Sequence, residues 1–103
     1  MFDLKQIQKM QKELQDRMAQ VQGDLKTQEV EGTAGGGMVV ARANGNQELI
    51  DLTINPDVVD PDDVEMLQDL VVAAINNALD KARELNQDEM SKVTGGIKIP
   101  GLF

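Results

Sequence analysis

Between Leu4 and Leu25 the apolar side chains Leu4, Ile7, Leu14, Met18, Val21 and Leu25 recur at alternating spacings of three and four once Gln11 fills the one gap, an a/d pattern through three heptads. This spacing predicts a helix over residues 3 to 22 or slightly beyond, a rod about 30 Å long with a narrow seam. A chain of 103 residues leaves too little behind to cover a rod of that length. A narrow seam usually meets another helix, so these six residues are candidates for a dimer seam. Gln11 either sets the register of that contact or sits at a loosely packed edge; the spacing leaves both open.

Gly23 weakens or ends the helix near Asp24. Thr27 to Thr33 is a weak strand candidate that Gly32 would interrupt or bulge. Met38 to Ala43 reads as a strand rich in β-branched residues, and Asn44-Gly45 as the two-residue turn of a hairpin, where both central residues take positive φ. The answering strand is Glu48 to Ile54, with Ile50, Leu52 and Ile54 on one face and Asp51 and Thr53 on the other. Asn55-Pro56 closes it.

A second helix follows, with Asp60 expected as N-cap, Pro61 at the first helical position, and Asp62 and Asp63 in the first turn. Val64, Leu67, Val71, Ile75, Ala78, Ala82 and Leu85 give it a broad apolar face, widened by Met66, Leu70, Val72, Ala74 and Leu79. Thr94-Gly95-Gly96 is expected to stop it. The ending Ile97 to Phe103 is too apolar for an inert tail; docking on the body or on a partner and plain disorder are both open.

The predicted order is helix, three strands, long helix: an α+β domain of α-β-β-β-α type with a three-stranded antiparallel sheet. A single domain over residues 1–103 divides into an N-terminal helix (1–26), the sheet (27–55), the long helix (60–93) and a tail (94–103). Such a sheet under one helix is thin and leaves the first helix unpartnered. Homodimerisation answers both, since pairing two copies covers the seam and extends the sheet.

Composition narrows the chemistry. The absence of His and Cys excludes Ser-His-Asp and Cys-His catalysis, thiolate or histidine metal sites, and disulfides, leaving only carboxylates, lysines and hydroxyls. Nothing places two carboxylates in an apolar pocket, so a carboxylate-only hydrolase is a remote option and the expectation is no catalysis. Gly32 to Gly37 leads into a strand, not a helix, which excludes a Walker or dinucleotide phosphate loop; a tight crossover or bulge is expected. Asp60-Pro61-Asp62 begins like a calcium loop, but Val64 and Glu65 stand where a ligand and the required glycine belong. No apolar run reaches the length of a membrane span, and the first residues lack the apolar core of a signal peptide, so a soluble cytoplasmic protein is expected.

The net charge of −8 argues at first against nucleic acid. Its distribution argues otherwise. Residues 1–26 carry Lys5, Lys9, Lys12, Arg17 and Lys26 against four acids, whereas Glu48, Asp51, Asp57, Asp60, Asp62, Asp63, Glu65 and Asp69 fall within 48–69 with no base. Lys5, Lys9 and Lys12 share one face of the first helix, away from the seam, and are either a solvated face or a ridge that contacts phosphate. Lys81 and Lys92 lie eleven residues apart on one side of the second helix. Sparse bases without interleaved aromatics suit the backbone of duplex DNA better than stacking on single strands.

Gly35-Gly36-Gly37-Met38-Val39-Val40, Asn44-Gly45, Asp63 to Leu70, Ala73 to Leu79 and the ending Ile99-Pro100-Gly101-Leu102-Phe103 together resemble the YbaB/EbfC family of bacterial nucleoid-associated proteins, across essentially the whole chain. The resemblance implies a small cytoplasmic, nucleoid-located homodimer shaped like tweezers that binds double-stranded DNA and affects nucleoid organisation and gene expression, without a cofactor or catalysis. It places DNA contacts on protruding helices, here Lys5, Lys9, Lys12, Arg17, Lys81 and Lys92. The alternative is a dimeric protein-interaction adaptor that uses the acidic surface or the apolar tail.

Overall fold

The computed structural model describes residues 3–93 and has the order α1 (Leu4–Thr27), β1 (Glu29–Ala34), β2 (Val39–Asn44), β3 (Leu49–Ile54), a 3-10 turn (Pro56–Val58) and α2 (Val64–Val93). The three strands form one antiparallel sheet in the order β1-β2-β3. The apolar ending from Ile97 and the glycines expected to stop the second helix lie outside the described residues.

Asp3 caps α1, its carboxylate accepting from the Gln6 N–H at 2.8 Å. The helix passes through Gly23 without a break and ends at Thr27, beyond the stop expected near Asp24. One glycine costs such a helix only about 1 kcal/mol, and its last turn is held from outside. The Leu25 carbonyl accepts from the N–H of Gly45 at 2.9 Å, and the Asn46 amide donates to the Gln22 carbonyl at 3.1 Å. Leu25 itself is fully buried.

These contacts explain a turn that differs from expectation. In place of a two-residue turn centred on Asn44-Gly45, the β2–β3 connection is a loop in which the Asn44 carbonyl accepts from Gln47 N–H at 3.0 Å and Gln47 takes the left-handed conformation, φ 63°. Gly45 has no positive φ. It is needed because a Cβ there would lie 2.6 Å from Leu25 Cδ2 and 2.9 Å from the Leu25 carbonyl oxygen. Asn44 braces the loop, its Oδ1 accepting from the N–H groups of Asn46 at 3.0 Å and Glu48 at 3.1 Å.

Gly35, Gly36 and Gly37, expected as a crossover or bulge, form the hairpin turn between β1 and β2, with φ of 64°, 68° and 91°. Their role is left-handed backbone, which L-residues enter at a cost of 1–2 kcal/mol or so. β1 runs past Gly32 in unbroken register with β2, Gly32 opposite Ala41; the sheet's irregularity lies instead between Arg42 and Ala43.

The start of α2 also differs. Asp60 to Asp63 form a turn, the Asp60 carbonyl accepting from Asp63 N–H at 3.0 Å and its carboxylate from Asp62 N–H at 2.9 Å. The N-cap is Asp63, which accepts from Met66 N–H at 3.2 Å. Pro61 fits the turn because its fixed φ suits the second position, so the helix begins three residues later than the first proline signal suggests.

α2 lies across β1 and β2 on a strip of small residues. Ala74, Ala78 and Ala82, at successive fourth positions, are fully buried against Val39, Ala41 and Ala43. Two hydrogen bonds fix the rotation of the helix: Asn77 donates to the Thr33 carbonyl at 2.9 Å and Lys81 to the Glu31 carbonyl at 2.8 Å, both on β1. The flank about 170° round the helix, bearing Val72, Ile75 and Leu79, is therefore turned toward β3. There the cover is thin: Leu49, Ile50 and Val72 are exposed, and Leu52 and Ile54 only half-buried.

The largest fully buried side chains are Leu25 and Val39; the rest of the buried apolar core is alanine. At about 0.8 kcal/mol per buried methylene, an alanine-lined core supplies little driving force. The molecule is correspondingly extended, 71 × 25 × 17 Å with a radius of gyration of 19.7 Å, against about 13 Å for a compact hundred-residue domain.

Candidate nucleic-acid interface

The two long helices, α1 of 24 residues and α2 of 30, give the molecule its length, and α1 projects beyond the body. Its last turns pack beside the end of α2, where Arg17, Gln20, Val21, Glu89 and Lys92 line one groove of about 260 Å³. Asn86 ties the same region to the hairpin by donating to the Gly45 carbonyl at 2.9 Å. Since Leu25 and Asn86 both meet the hairpin tip while Arg17 and Lys92 share the groove, the two helices run antiparallel and leave the sheet together. Residues 3–17 of α1 are exposed throughout, and from Arg17 back to Leu4 the helix continues for about 20 Å.

The candidate bases divide by what holds them. Lys5, Lys9, Lys12 and Arg17 are exposed and, among the described residues, make no ion pair. Lys81 donates to the neutral Glu31 carbonyl, which leaves its charge uncancelled, and Lys92 pairs with Glu89 at 3.0 Å. Arg17 and Lys92 are brought together at the groove; Lys81 lies about 16 Å back along α2. The other two arginines are neutralised locally. Arg83 pairs with Asp80 at 3.2 Å. Arg42 grips Asp51 through Nε at 3.0 and 3.1 Å and through Nη2, and reaches Glu29 at 3.4 Å. The guanidinium holds the Asp51 carboxyl below the usual aspartate range, chiefly by hydrogen bonding.

Acids gather at the far end. Asp57, Asp60, Asp62, Asp63, Glu65 and Asp69 surround the start of α2, and Glu65 is about 40 Å along that helix from Lys92. The net charge of −8 is thus concentrated at an acidic end, while the arm is close to neutral, with five bases against four acids in residues 1–26. Among the described residues no three acidic side chains are grouped to hold a metal ion, and no helix is long and apolar enough to cross a membrane.

The seam residues divide as well. Leu25 is closed by the chain's own hairpin and Met18 and Val21 are half-buried, while Leu4, Ile7 and Leu14 are exposed. Sequence reasoning did not single out Asn46, Asn77 and Asn86, which clamp helices to the sheet and its hairpin. For Asn77 and Asn86 the available signal was asparagine inside a helix, where it is unfavourable without a partner; Asn46 lies in the β2–β3 loop and had no such signal.

Fold and surface together define a small α+β scaffold with a projecting helical arm that carries a lysine ridge. The chain belongs to the YbaB/EbfC DNA-binding family, whose sequence model matches residues 1–97. It is 52% identical over 102 residues to a nucleoid-associated protein of Thermoanaerobacter pseudethanolicus, covering 99% of this chain and 92% of that protein. A nucleoid-associated protein of Clostridium novyi is 53% identical over 100 residues, with 97% and 84% covered, and one of Acetivibrio thermocellus 54% over 101 residues, with 97% and 86% covered. The crystal structure of an uncharacterised protein from Helicobacter pylori shares the fold, with a TM-score of 0.82 at 24% identity over 92% of this chain and 100% of that one. The family is a DNA-binding family, not an enzyme family.

Proposed function

We propose that this chain is a nucleoid-located, cytoplasmic protein that binds duplex DNA as a homodimer and so contributes to nucleoid organisation and the regulation of gene expression. The observation that carries this reading is the ridge of Lys5, Lys9 and Lys12, which makes no ion pair among the described residues and lies on a helix that projects from the body, while Arg42, Arg83 and Lys92 are paired with acids. Cations that are not already paired with acids are the readiest to contact phosphate, and the ridge offers three of them on one face of the helix. Arg17 and Lys92 add a contact where the helices share a groove; Lys81 anchors α2 on β1 instead. Lysine contacts of this kind go to the DNA backbone and carry no sequence information.

The dimer is supported by the strip along β3. Leu49, Ile50 and Val72 are exposed beside an edge strand whose outer side has no neighbour among the described residues. A second copy meets both needs, covering the apolar strip and protecting the edge. Two arms then project from one body, in a tweezers-like shape. Sedimentation tests the assembly: a dimer is expected, and a stable 11.3 kDa monomer at micromolar concentration contradicts it. Anisotropy of labelled duplexes of unrelated sequence tests the partner, with similar affinities expected.

A further inference from the structure

The projecting half of α1 has a second apolar surface, separate from the strip along β3. Leu4, Ile7, Met10 and Leu14 are 71%, 42%, 58% and 50% exposed, and they follow one line of the helix. The other half of the same seam, from Met18 to Leu25, is occupied by α2 and the hairpin of the chain itself. The positions flanking the free half are Gln8 and Gln15 on one side and Asp3, Met10 and Arg17 on the other, so the charges that an antiparallel copy of this helix brings together are opposite in sign.

We propose that the free halves of two α1 helices from different dimers pair antiparallel, and that this contact joins two DNA duplexes. In that register Leu4 lies opposite the partner's Leu14, and Ile7 opposite the partner's Gln11. A parallel pair would bring two bodies to the same level, because each α1 carries its own α2 from Arg17 onward; the antiparallel pair sends them to opposite ends and opposes the helix dipoles. Lys5, Lys9 and Lys12 lie about 150° round the helix from the free seam. In the pair, the two lysine ridges therefore face outward in opposite directions, each open to its own duplex. The contact is short, about three helical turns, so it is weak between free dimers and strengthens once DNA raises the local concentration of arms. This inference rests on the DNA-binding reading above for its bridging half, but the helix contact stands without it.

The chain has no cysteine, which makes the contact directly testable. Protein carrying Ile7→Cys is mixed with protein carrying Gln11→Cys and oxidised mildly. Mixed disulfides in excess over the two homotypic species are expected; homotypic species in excess, or no crosslink at high protein concentration, overturn the pairing. Bridging is read by capture of a labelled duplex on beads bearing another duplex. The Ile7→Gln/Leu14→Gln variant keeps a helical, uncharged arm, so it is expected to bind single duplexes as the unaltered protein does while losing capture. Capture undiminished in that variant overturns the proposal. Absence of any duplex binding by the unaltered protein defeats the functional reading and the bridging step together, and the disulfide pattern then decides the helix contact alone.

Discussion

A Cβ built on Gly32 falls 2.1 Å from the backbone nitrogen of Ala78 and 2.5 Å from the Ala74 carbonyl oxygen. The backbones of β1 and α2 are thus in direct contact, which is why the helix presents alanines to the sheet. Gly32→Ala has no flexible neighbour to displace, and its cost is expected at the upper end of overpacking, about 3 kcal/mol or more. Gly23→Ala meets nothing within 4 Å and is expected to stabilise by about 0.5–1 kcal/mol through helix propensity. Gly36→Ala meets nothing either, but its φ of 68° sets a cost of about 1–2 kcal/mol. Urea unfolding followed by circular dichroism ranks the three; equal effects would show that close approach is not what Gly32 provides.

At the start of α2 two aspartates compete for the role of cap. Asp63→Ala removes the carboxylate that accepts from Met66 N–H and is expected to cost about 1 kcal/mol. Asp60→Ala loosens only the preceding turn and is expected to cost less. The reverse order in thermal unfolding would return the helix start to Asp60.

Asp51 accepts from Arg42 on the open face of the sheet, and its folded-state pKa is lowered. A lowered carboxylate pKa contributes stability that is present above the unfolded value and lost as pH falls through the folded one, so this contribution begins to fall near about pH 4 and is lost progressively at more acid pH. Both groups are partly exposed and screened, so the effect is small. Arg42→Gln is expected to return Asp51 to the ordinary aspartate range in an NMR titration of the carboxyl. An Asp51 that titrates at or above that range in the unaltered protein would contradict the pairing.

Ile50→Glu and Val72→Glu place charge on the exposed strip along β3 without touching the alanine core. Each is expected to yield a folded monomer in sedimentation, with unchanged helix content and weaker DNA binding because one arm acts alone. A variant that remains dimeric would move the interface elsewhere.

Local rules carried the reading of the sequence a long way: the seam spacing gave α1, the β-branched run gave β2, alternation gave β3, and apolar periodicity gave α2. What they missed depends on contacts between segments distant in the chain. Gly45 looked like a residue chosen for positive φ, yet it is there because Leu25 passes over it. Asp60-Pro61 carries a helix-start signal, but the turn it makes with Asp63 delays the helix. Periodicity announced a partner for α1 without saying whose: Leu25 and Val21 meet their own chain, while Leu4 and Leu14 are exposed among the described residues. Lys81 and Lys92 share a side of α2 as their spacing requires, but only the folded chain reveals that Lys81 is held by Glu31 and that Lys92 shares a groove with Arg17.

The central claim is that unpaired bases on the arm of α1 hold the DNA backbone. The slope of log affinity against log salt concentration tests it most directly, since each phosphate contacted contributes about −0.9. Replacing Lys5, Lys9 and Lys12 together by alanine is expected to weaken binding alike for every duplex sequence and to make the slope shallower by up to about three contacts' worth per arm. An unchanged slope and affinity in the triple variant would contradict the account.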